Sequence, residues 1–271
     1  MLLHGKRALI MGVANKRSIA WGIARAFHRE GAQLAFTYQS DRLKENLVEL
    51  LTELGGAERF PIFPCDVQSD QQIDAVFAGL AAQWGALDVL VHCLAFAGRE
   101  ELARPFTQIS RQGYAQALEI SAYSLLRVAG AARGLLEAAG GGTILTLTYN
   151  AVEAVVPSYG VMAIAKAALE CEVRYLAAEL GPANIRVNAI SAGPLRTLAA
   201  SAVRGITAFR DVVEEVAPLR RNISQEDVGD AAVFLASDLA RSVTGNTLFV
   251  DSGFHVMGAA AVAEMRGKAP A

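Results

Sequence analysis

Short, continuously apolar runs alternate with longer segments of helical period from the first residues of the chain to about residue 250. The runs predict strands at 7–12, 33–38, 60–64, 87–93, 143–148, 185–190 and 247–251. The intervening segments predict helices at 18–30, from 41 onward, and at 69–84, 113–138, 158–180 and 225–238. Strands that are apolar throughout and separated by helices are typical of a parallel sheet covered on both faces.

No change of composition and no linker interrupts this pattern, so we predict a single α/β domain over residues 1–256. Its expected architecture is a doubly wound parallel sheet of Rossmann type with helices on both faces. Residues 192–215 follow the sixth strand, and a long excursion at that end of a strand predicts a lid over a substrate site. Residues 257–271 are rich in alanine and form either a loose arm or a helix that docks on a neighbouring subunit.

Composition narrows the class of protein. Hydrophobic residues make up 53% of the chain and charged residues 19%, which is typical of a soluble, strongly packed protein. The formal net charge of −2 gives no support to nucleic-acid binding, and no apolar run is long enough to predict a membrane span. Cysteines 65, 93 and 171 show no C-x-x-C pattern, so we expect reduced thiols in a cytoplasmic protein, and no metal site.

The first predicted strand runs into a glycine turn that suits a phosphate group. Gly12 ends the strand, and Ser18 opens the next helix after a five-residue gap. A glycine lets the backbone turn tightly, while a helix N-terminus offers free N–H groups and a positive dipole end to a pyrophosphate. Gly22 would let that helix pack closely on the sheet. The sequence is not G-x-G-x-x-G, so a simple strand-to-helix connection is the alternative.

The ends of the second and third strands carry candidates for adenosine recognition. Gln39 can hydrogen-bond an adenosine hydroxyl but cannot neutralise a 2′-phosphate, which favours NADH; Arg42 is the feature that favours NADPH. Asp66 offers a carboxylate to the adenine amino group, with the amide of Val67 beside it. The alternative is that Asp66 caps the following helix.

The fourth strand ends in the small-residue segment H-C-L-A-F-A, at residues 92–97. Small side chains there let the backbone pass beside a cofactor ribose, and Phe96 and Ala97 are expected to line a substrate cavity.

The most informative feature is a set of two tyrosines and one lysine. Tyr159 and Lys166 are seven residues apart, which at about 100° per residue brings both to one side of a helix with roughly 10 Å of axial rise between them. That spacing suits a division of work, in which the phenol reaches a substrate oxygen and the ammonium holds a cofactor. Pro157 and Ser158 are predicted to form the helix entry, with the serine as cap. For Tyr149, an aromatic wall without a chemical role is the alternative.

Several motifs together give a family resemblance over residues 7 to about 254: G-V-A-N-K-R-S-I-A-W-G-I-A, T-Y-Q-S-D-R, C-D-V, I-R-V-N-A-I-S-A-G-P-L-R-T-L-A-A-S and E-D-V-G-D. With them, the chain resembles the short-chain dehydrogenase/reductases, and among these the bacterial enoyl-acyl-carrier-protein reductases of type II fatty acid synthesis. Its Tyr-x6-Lys spacing is the specific sign, since other members of the superfamily carry Tyr-x3-Lys and here that position is Ala163.

The resemblance implies reduction of an enoyl thioester on acyl carrier protein by NADH, usually in a homotetramer. It implies that Tyr149 and Tyr159 are the active-site tyrosines, with Lys166 catalytic beside them, and that Ala97 lies in the substrate pocket. The positions that match cofactor contacts are Gly12, Ser18, Ile19, Gln39, Asp66, Val67, Leu94, Lys166, Leu195, Arg196, Thr197, Leu198 and Ala199.

Two other functions fit the same fold. A ketone or alcohol reductase would need a Ser or Thr hydroxyl near its tyrosine, which Thr146 or Thr148 could supply, although Lys166 sits too far along the helix for the usual proton relay. A non-catalytic, nucleotide-sensing regulator is the second alternative, but such proteins often lose the tyrosine or the lysine.

Overall fold

The computed structural model describes residues 1–197 and 206–258, apart from the side chains of 206–208. Within these residues the strands are β1 (Arg7–Met11), β2 (Gln33–Tyr38), β3 (Ile62–Pro64), β4 (Val89–His92), β5 (Gly142–Thr148), β6 (Ile185–Ala192) and β7 (Thr247–Val250). They form one sheet in the order β3-β2-β1-β4-β5-β6-β7, with every neighbouring pair parallel. The predicted doubly wound parallel sheet is confirmed.

Helices cover both faces of this sheet. They are α1 (Ile19–Arg29), α2 (Asp41–Leu51), α3 (Asp70–Trp84), α4 (Arg99–Ala103), α5 (Arg111–Leu118), α6 (Ser124–Ala138), α7 (Gly160–Leu180), α8 (Ile206–Val216) and α9 (Gln225–Ala236). Helices α1, α2 and α9 pack on one face, and α3, α6 and α7 on the other. Because both faces are covered, the strands carry apolar side chains on both sides, which is why they form continuous apolar runs in the sequence.

The helix predicted over 113–138 begins two residues earlier and contains a π-helical segment, Glu119–Tyr123, which joins α5 to α6. Segments of this kind occur frequently at functional sites. Helix α4 was not predicted from the sequence, because five residues are too few to show a helical period.

Helices α1 and α9 approach each other closely at two glycines. A Cβ on Gly22 would lie 2.7 Å from the Cβ of Gln225, and a Cβ on Gly229 would lie 2.8 Å from the carbonyl oxygen of Gly22. The expectation that Gly22 packs on the sheet is therefore wrong, since its close neighbour is α9. The side chain of Gln225 also donates a hydrogen bond to the carbonyl oxygen of Ser18 at 2.6 Å. These contacts fix the N-terminus of α1.

The strand order reverses between β1 and β4, so the crevice outside their carboxyl ends is the place where a ligand is expected in this fold. Among the described helices, none has the length and hydropathy that a membrane span needs.

Candidate active site

The turn after β1 admits no side chain. Gly12 has a φ of +96°, and a Cβ at this position would lie 2.1 Å from the carbonyl oxygen of Cys93. The ends of β1 and β4 are thus in direct backbone contact, and only glycine satisfies both the left-handed conformation and the distance. The open surface above the turn is formed by main chain, as close approach of a cofactor requires.

The N-terminus of α1 is prepared for an anion. Ser18 is the N-cap residue, and its Oγ accepts hydrogen bonds from the main-chain N–H groups of Ala14 and Asn15, both at 3.0 Å. Its carbonyl oxygen accepts from the first intrahelical donors, Trp21 and Gly22. Within the described residues no partner occupies the N–H groups of Ile19 and Ala20. Free N–H groups at the positive end of a helix fit the pyrophosphate of a dinucleotide.

The two adenosine candidates lie side by side. The side-chain amide of Gln39 donates to Oδ2 of Asp66 at 3.2 Å, and Oδ1 of Asp66 accepts from the main-chain N–H of Gln68 at 3.0 Å. The cap of α3 is Ser69, whose Oγ accepts from the N–H of Gln72. Asp66 is therefore not the cap of this helix, which removes the structural alternative weighed for it.

A cleft of about 290 Å³ opens between the N-termini of α1 and α9 and the loop after β6. Its lining residues are Arg17, Leu195, Arg196, Arg210, Ile223, Ser224, Gln225 and Glu226. Burial and the neighbouring guanidinium of Arg196 lower the pKa of Arg210. Like charges held together in a cleft are stabilised by an anion, so this surface also fits a phosphate group.

The loop after β6 is only partly described. Leu195 is buried, Arg196 is exposed, and the N–H of Thr197 donates to the carbonyl oxygen of Leu195 at 2.9 Å. Arg210 on α8 donates to the carbonyl oxygen of Pro194 at 2.8 Å, which ties this helix to the start of the loop. The candidate cofactor residues Leu198 and Ala199, and the middle of the predicted lid, lie outside the described residues.

The two tyrosines meet at the carboxyl edge of the sheet. Tyr149 directly follows β5, Tyr159 directly precedes α7, and their rings are in edge-to-face contact at 5.1 Å and 67°. Tyr159 is itself the N-cap of α7. The prediction that Ser158 caps this helix is wrong, because its φ of +62° turns the chain before the helix starts.

Both phenols are protonated at neutral pH. Burial, and then Tyr149, raise the pKa of Tyr159 well above its usual value, and burial together with Asp251 raises the pKa of Tyr149 to about 12. No hydrogen bond to either hydroxyl is found within the described part of the chain. Each tyrosine therefore has an O–H group that is free to donate to a bound molecule.

Lys166 lies on the second turn of α7 and is only 4% exposed. Its Nζ donates to the carbonyl oxygen of Leu147 on β5 at 2.7 Å. Burial lowers its pKa to about 8, against the opposing effects of Cys93 and Glu170. Most of the lysine is therefore charged at pH 7, but the charge is held in a weakly solvated place.

Two residues that sequence reasoning did not assign to the site complete this region. Thr148 donates its hydroxyl to Oε1 of Glu170 at 2.6 Å, and both side chains are buried. The only signal in the sequence is that Glu170 follows Lys166 by four residues, one helical turn. Thr146 is also engaged, with the carbonyl oxygen and the imidazole of His92. Both hydroxyls that a ketone reductase could use are thus occupied.

The surroundings of Ala97 and Tyr159 are apolar. Ala97 and Tyr159 pack against one small cluster, formed by Leu102, Ala117, Val161 and Met162. Ser121 in the π-helical segment holds the loop after β4, since its Oγ accepts from the N–H of Phe96 at 2.9 Å and donates to the carbonyl oxygen of Phe96 at 3.2 Å. Leu94 and Val67 are partly buried against the core between the sheet and helices α3, α6 and α7.

The chain is similar to known proteins over nearly its whole length. A family model described as enoyl-(acyl carrier protein) reductase matches residues 12–255. An enoyl-acyl-carrier-protein reductase (NADH) of Nostoc sp. is 52% identical over 259 residues, which cover 94% of this chain and 98% of that protein. A Bacillus cereus relative of the same name is 51% identical over 257 residues, with 95% and 99% covered.

Solved structures agree with these relatives. The Bacillus cereus enoyl-acyl-carrier-protein reductase, crystallised with NADP+ and an indole naphthyridinone, superposes with a TM-score of 0.92 at 50% identity and covers 95% of this chain and 99% of that one. The reductase of Anaplasma phagocytophilum in complex with NAD gives 0.90 at 45% identity, with 95% and 97% covered. The buried lysine, the paired tyrosines and the glycine turn thus stand in a chain that belongs to the enoyl-acyl-carrier-protein reductase family.

Proposed function

We propose that the chain reduces trans-2-enoyl thioesters carried on acyl carrier protein to acyl thioesters, with NADH as the reductant, in type II fatty acid biosynthesis. The observation that carries this proposal is the position of Tyr159. It is a protonated phenol beside an apolar cluster that also contacts Ala97, and it begins the helix that carries buried Lys166. An apolar cluster beside a phenol donor suits an acyl chain that ends in a thioester.

The cofactor is held mainly by main chain and by two polar side chains. The turn at Gly12 and the N-terminus of α1 at Ser18 and Ile19 bind the pyrophosphate. Gln39 and Asp66 bind the adenosine, and a neutral amide at the first of these positions favours NADH over a cofactor with a 2′-phosphate. Val67, Leu94 and residues 195–197 are the further cofactor contacts, and Leu198 and Ala199 are proposed to follow them although they lie outside the described residues. NADH, when bound, supplies the hydride for the β-carbon of the substrate.

Tyr159 acts on the thioester oxygen. As the double bond is reduced, negative charge develops on this oxygen, and a hydrogen bond from the phenol becomes stronger in the transition state than in the bound substrate. Because burial raises the pKa of the phenol, the proton stays on Tyr159 and the group works as a donor over the whole neutral range. One such donor contributes about 3 kcal/mol, or roughly 100-fold in rate.

Lys166 binds the hydroxyls of the nicotinamide ribose and so fixes the orientation of the reacting ring. Its charge also favours the negative charge that develops on the substrate. Tyr149, whose ring contacts Tyr159 edge-to-face, restrains the direction of that phenol and helps to orient the substrate beside it.

The assembly is proposed to be a homotetramer of single reductase domains, each spanning residues 1–256. Support comes from large apolar side chains that are exposed on α5, the π-helical segment, α6 and α7. They are Tyr114, Tyr123, Leu126 and Tyr175, and Tyr175 is 75% exposed. Exposed side chains of this kind are frequent at interaction surfaces. Sedimentation at micromolar concentration measures the mass, and a monomer would contradict the assembly.

The location is proposed to be the cytoplasm. Cysteines 65, 93 and 171 are all free, as a reducing compartment maintains them.

One spectrophotometric assay tests the reaction. NADH oxidation is followed at the nicotinamide absorbance band with crotonyl thioesters of acyl carrier protein and of coenzyme A, and is then repeated with NADPH. We expect turnover with NADH and the carrier-protein substrate. Turnover of a β-ketoacyl thioester with none of the enoyl thioester would instead favour a ketone reductase, and binding of NADH without oxidation would favour a regulator.

A further inference from the structure

Glu170 is a buried carboxylate for which neither the fold nor the reaction gives an evident reason. It lies on the inner face of α7, is 8% exposed and follows Lys166 by one helical turn. Burial of a carboxylate is costly unless it is hydrogen-bonded or paired with a positive charge. The structure provides the hydrogen bond, from the hydroxyl of Thr148 at 2.6 Å, and it places the ammonium of Lys166 one helical turn away, where its charge acts on Glu170.

Three consecutive residues at the end of β5 each contact α7 or its N-cap residue. Lys166 binds the carbonyl oxygen of Leu147, and Glu170 accepts from the side chain of Thr148, the next residue. The residue after that is Tyr149, whose ring meets Tyr159 at the start of the same helix. Three successive residues of the strand end are therefore held by one helix, and all three contacts lie within the proposed site.

The charge balance around Lys166 depends on Glu170. The thiol of Cys93 on the neighbouring strand is neutral, because burial raises its pKa to about 12. The imidazole of His92 is neutral as well, because burial lowers its pKa to about 3. The phenol of Tyr159 stays protonated. Among the described groups that act on Lys166, the carboxylate of Glu170 thus remains as the anion.

The carboxylate itself has further charged neighbours. Burial raises the pKa of Glu170, Glu153 raises it further, and Thr148, Arg174 and Lys166 act in the opposite direction. The hydroxyl of Thr148 is the largest of the groups that favour the charged form. Thr148 therefore favours the ionised form of Glu170, and the ionised form in turn favours the ammonium form of the lysine.

We propose that Glu170 is a positioning residue for Lys166: together with Thr148 it keeps the buried ammonium charged and holds it against the end of β5. The consequence for NADH rests on the proposed role of Lys166, but the effect on the lysine itself does not. Glu170 touches neither the cofactor surface nor the thioester in this arrangement and acts through the lysine alone.

Glu170→Gln isolates the charge. The substitution keeps the size of the side chain and an oxygen that accepts from Thr148, but it removes the negative charge. Residues one helical turn apart have Cβ atoms about 5–6 Å from each other. An opposite charge within about 4–6 Å typically moves a pKa by about one unit or more, so the pKa of Lys166 is expected to fall by about one unit. Glu172→Gln is the matched control, since it removes another partly buried carboxylate from α7 that does not act on Lys166.

The lysine is observed directly by NMR in the protein without cofactor. The chain has five lysines, at positions 6, 16, 44, 166 and 268, so labelling with [ε-13C]lysine gives few resonances, and Lys166→Arg assigns the relevant one. We expect a midpoint near pH 8 in the unchanged protein and in Glu172→Gln, and a midpoint about one unit lower in Glu170→Gln. An unchanged midpoint in Glu170→Gln overturns the proposal.

A second pair of variants keeps the test decisive if Glu170→Gln does not fold. Thr148→Val removes the hydroxyl that favours the ionised form of Glu170 and is expected to lower the midpoint of Lys166, whereas Thr148→Ser restores it. Equal midpoints in the two threonine variants contradict the proposal. The role of Lys166 in NADH binding is tested separately, by the affinity of Lys166→Gln for NADH. If this variant binds NADH normally, the cofactor role assigned to Lys166 is wrong. If Glu170→Gln nevertheless lowers the midpoint of Lys166, the positioning by Glu170 is still supported.

Discussion

The affinity for NADH is expected to depend on pH through Lys166. The lysine is charged below its pKa of about 8 and neutral above it, and the charged form binds the ribose hydroxyls more strongly. The affinity for NADH should therefore be highest near pH 6.5 and should decline as the pH rises through 8. With a pKa of about 8, the charged fraction falls from about 0.9 at pH 7 to about 0.1 at pH 9, which weakens binding roughly tenfold.

The assay is a fluorescence titration of the protein with NADH at half-unit steps between about pH 6.5 and 9. Lys166→Met serves as the reference, because it keeps the length of the side chain and has no charge. Its dissociation constant should be at least tenfold higher than that of the unchanged protein at pH 7, and it should stay level over the series. A constant affinity in the unchanged protein, or a persistent slope in Lys166→Met, would refute the reasoning.

Three further substitutions test the frame of the site. Gly12→Ala should destabilise the protein by about 3 kcal/mol in thermal or urea unfolding, because the added Cβ would lie 2.1 Å from the carbonyl oxygen of Cys93. A loss of stability below about 1 kcal/mol would contradict the close approach of the two strand ends. Ser121→Ala should raise KM for the enoyl thioester by about three- to tenfold and should raise KM for NADH by less, because the main chain of Phe96 loses both of its hydrogen bonds to Ser121. Equal changes in the two KM values would contradict this expectation. Burial raises the pKa of Glu172 from 4.5 to about 7. Ionisation of this side chain therefore lowers the free energy of unfolding, by the full amount above pH 7 and not at all below pH 4.5. Glu172→Gln should therefore stabilise the protein by about 1–2 kcal/mol at pH 8 and by less as the pH falls towards 5, and a gain that is independent of pH would exclude this cause.

The parts of the site that could be predicted from the sequence depend on local pattern. Gly12 and Ser18 stand at a strand end and a helix start, and both boundaries follow from hydrophobic period. Gln39 and Asp66 could be named as adenosine candidates because each follows the end of a predicted strand, but their hydrogen bond was not predicted. Tyr159 and Lys166 were found from their spacing.

The parts that could not be predicted depend on contacts between distant segments. Gly22 packs on α9, about 200 positions later in the chain, and no local pattern specifies that neighbour. The left-handed conformation of Ser158 moves the helix start to Gly160, with Tyr159 as its N-cap, whereas the Pro-Ser sequence favours an earlier start. Glu170 is a charged residue on a mostly apolar helix face, and only the fold shows that the hydroxyl of Thr148 donates a hydrogen bond to it.

The account depends most on the claim that the phenol of Tyr159 stabilises the charge that develops on the thioester oxygen. Comparison of Tyr159→Phe with the unchanged protein tests this claim, with kcat measured on an enoyl thioester and the dissociation constant of NADH measured by fluorescence. We predict a fall in kcat of roughly 100-fold with the NADH constant within about twofold. An unchanged kcat, or a loss explained wholly by weaker NADH binding, would contradict the account.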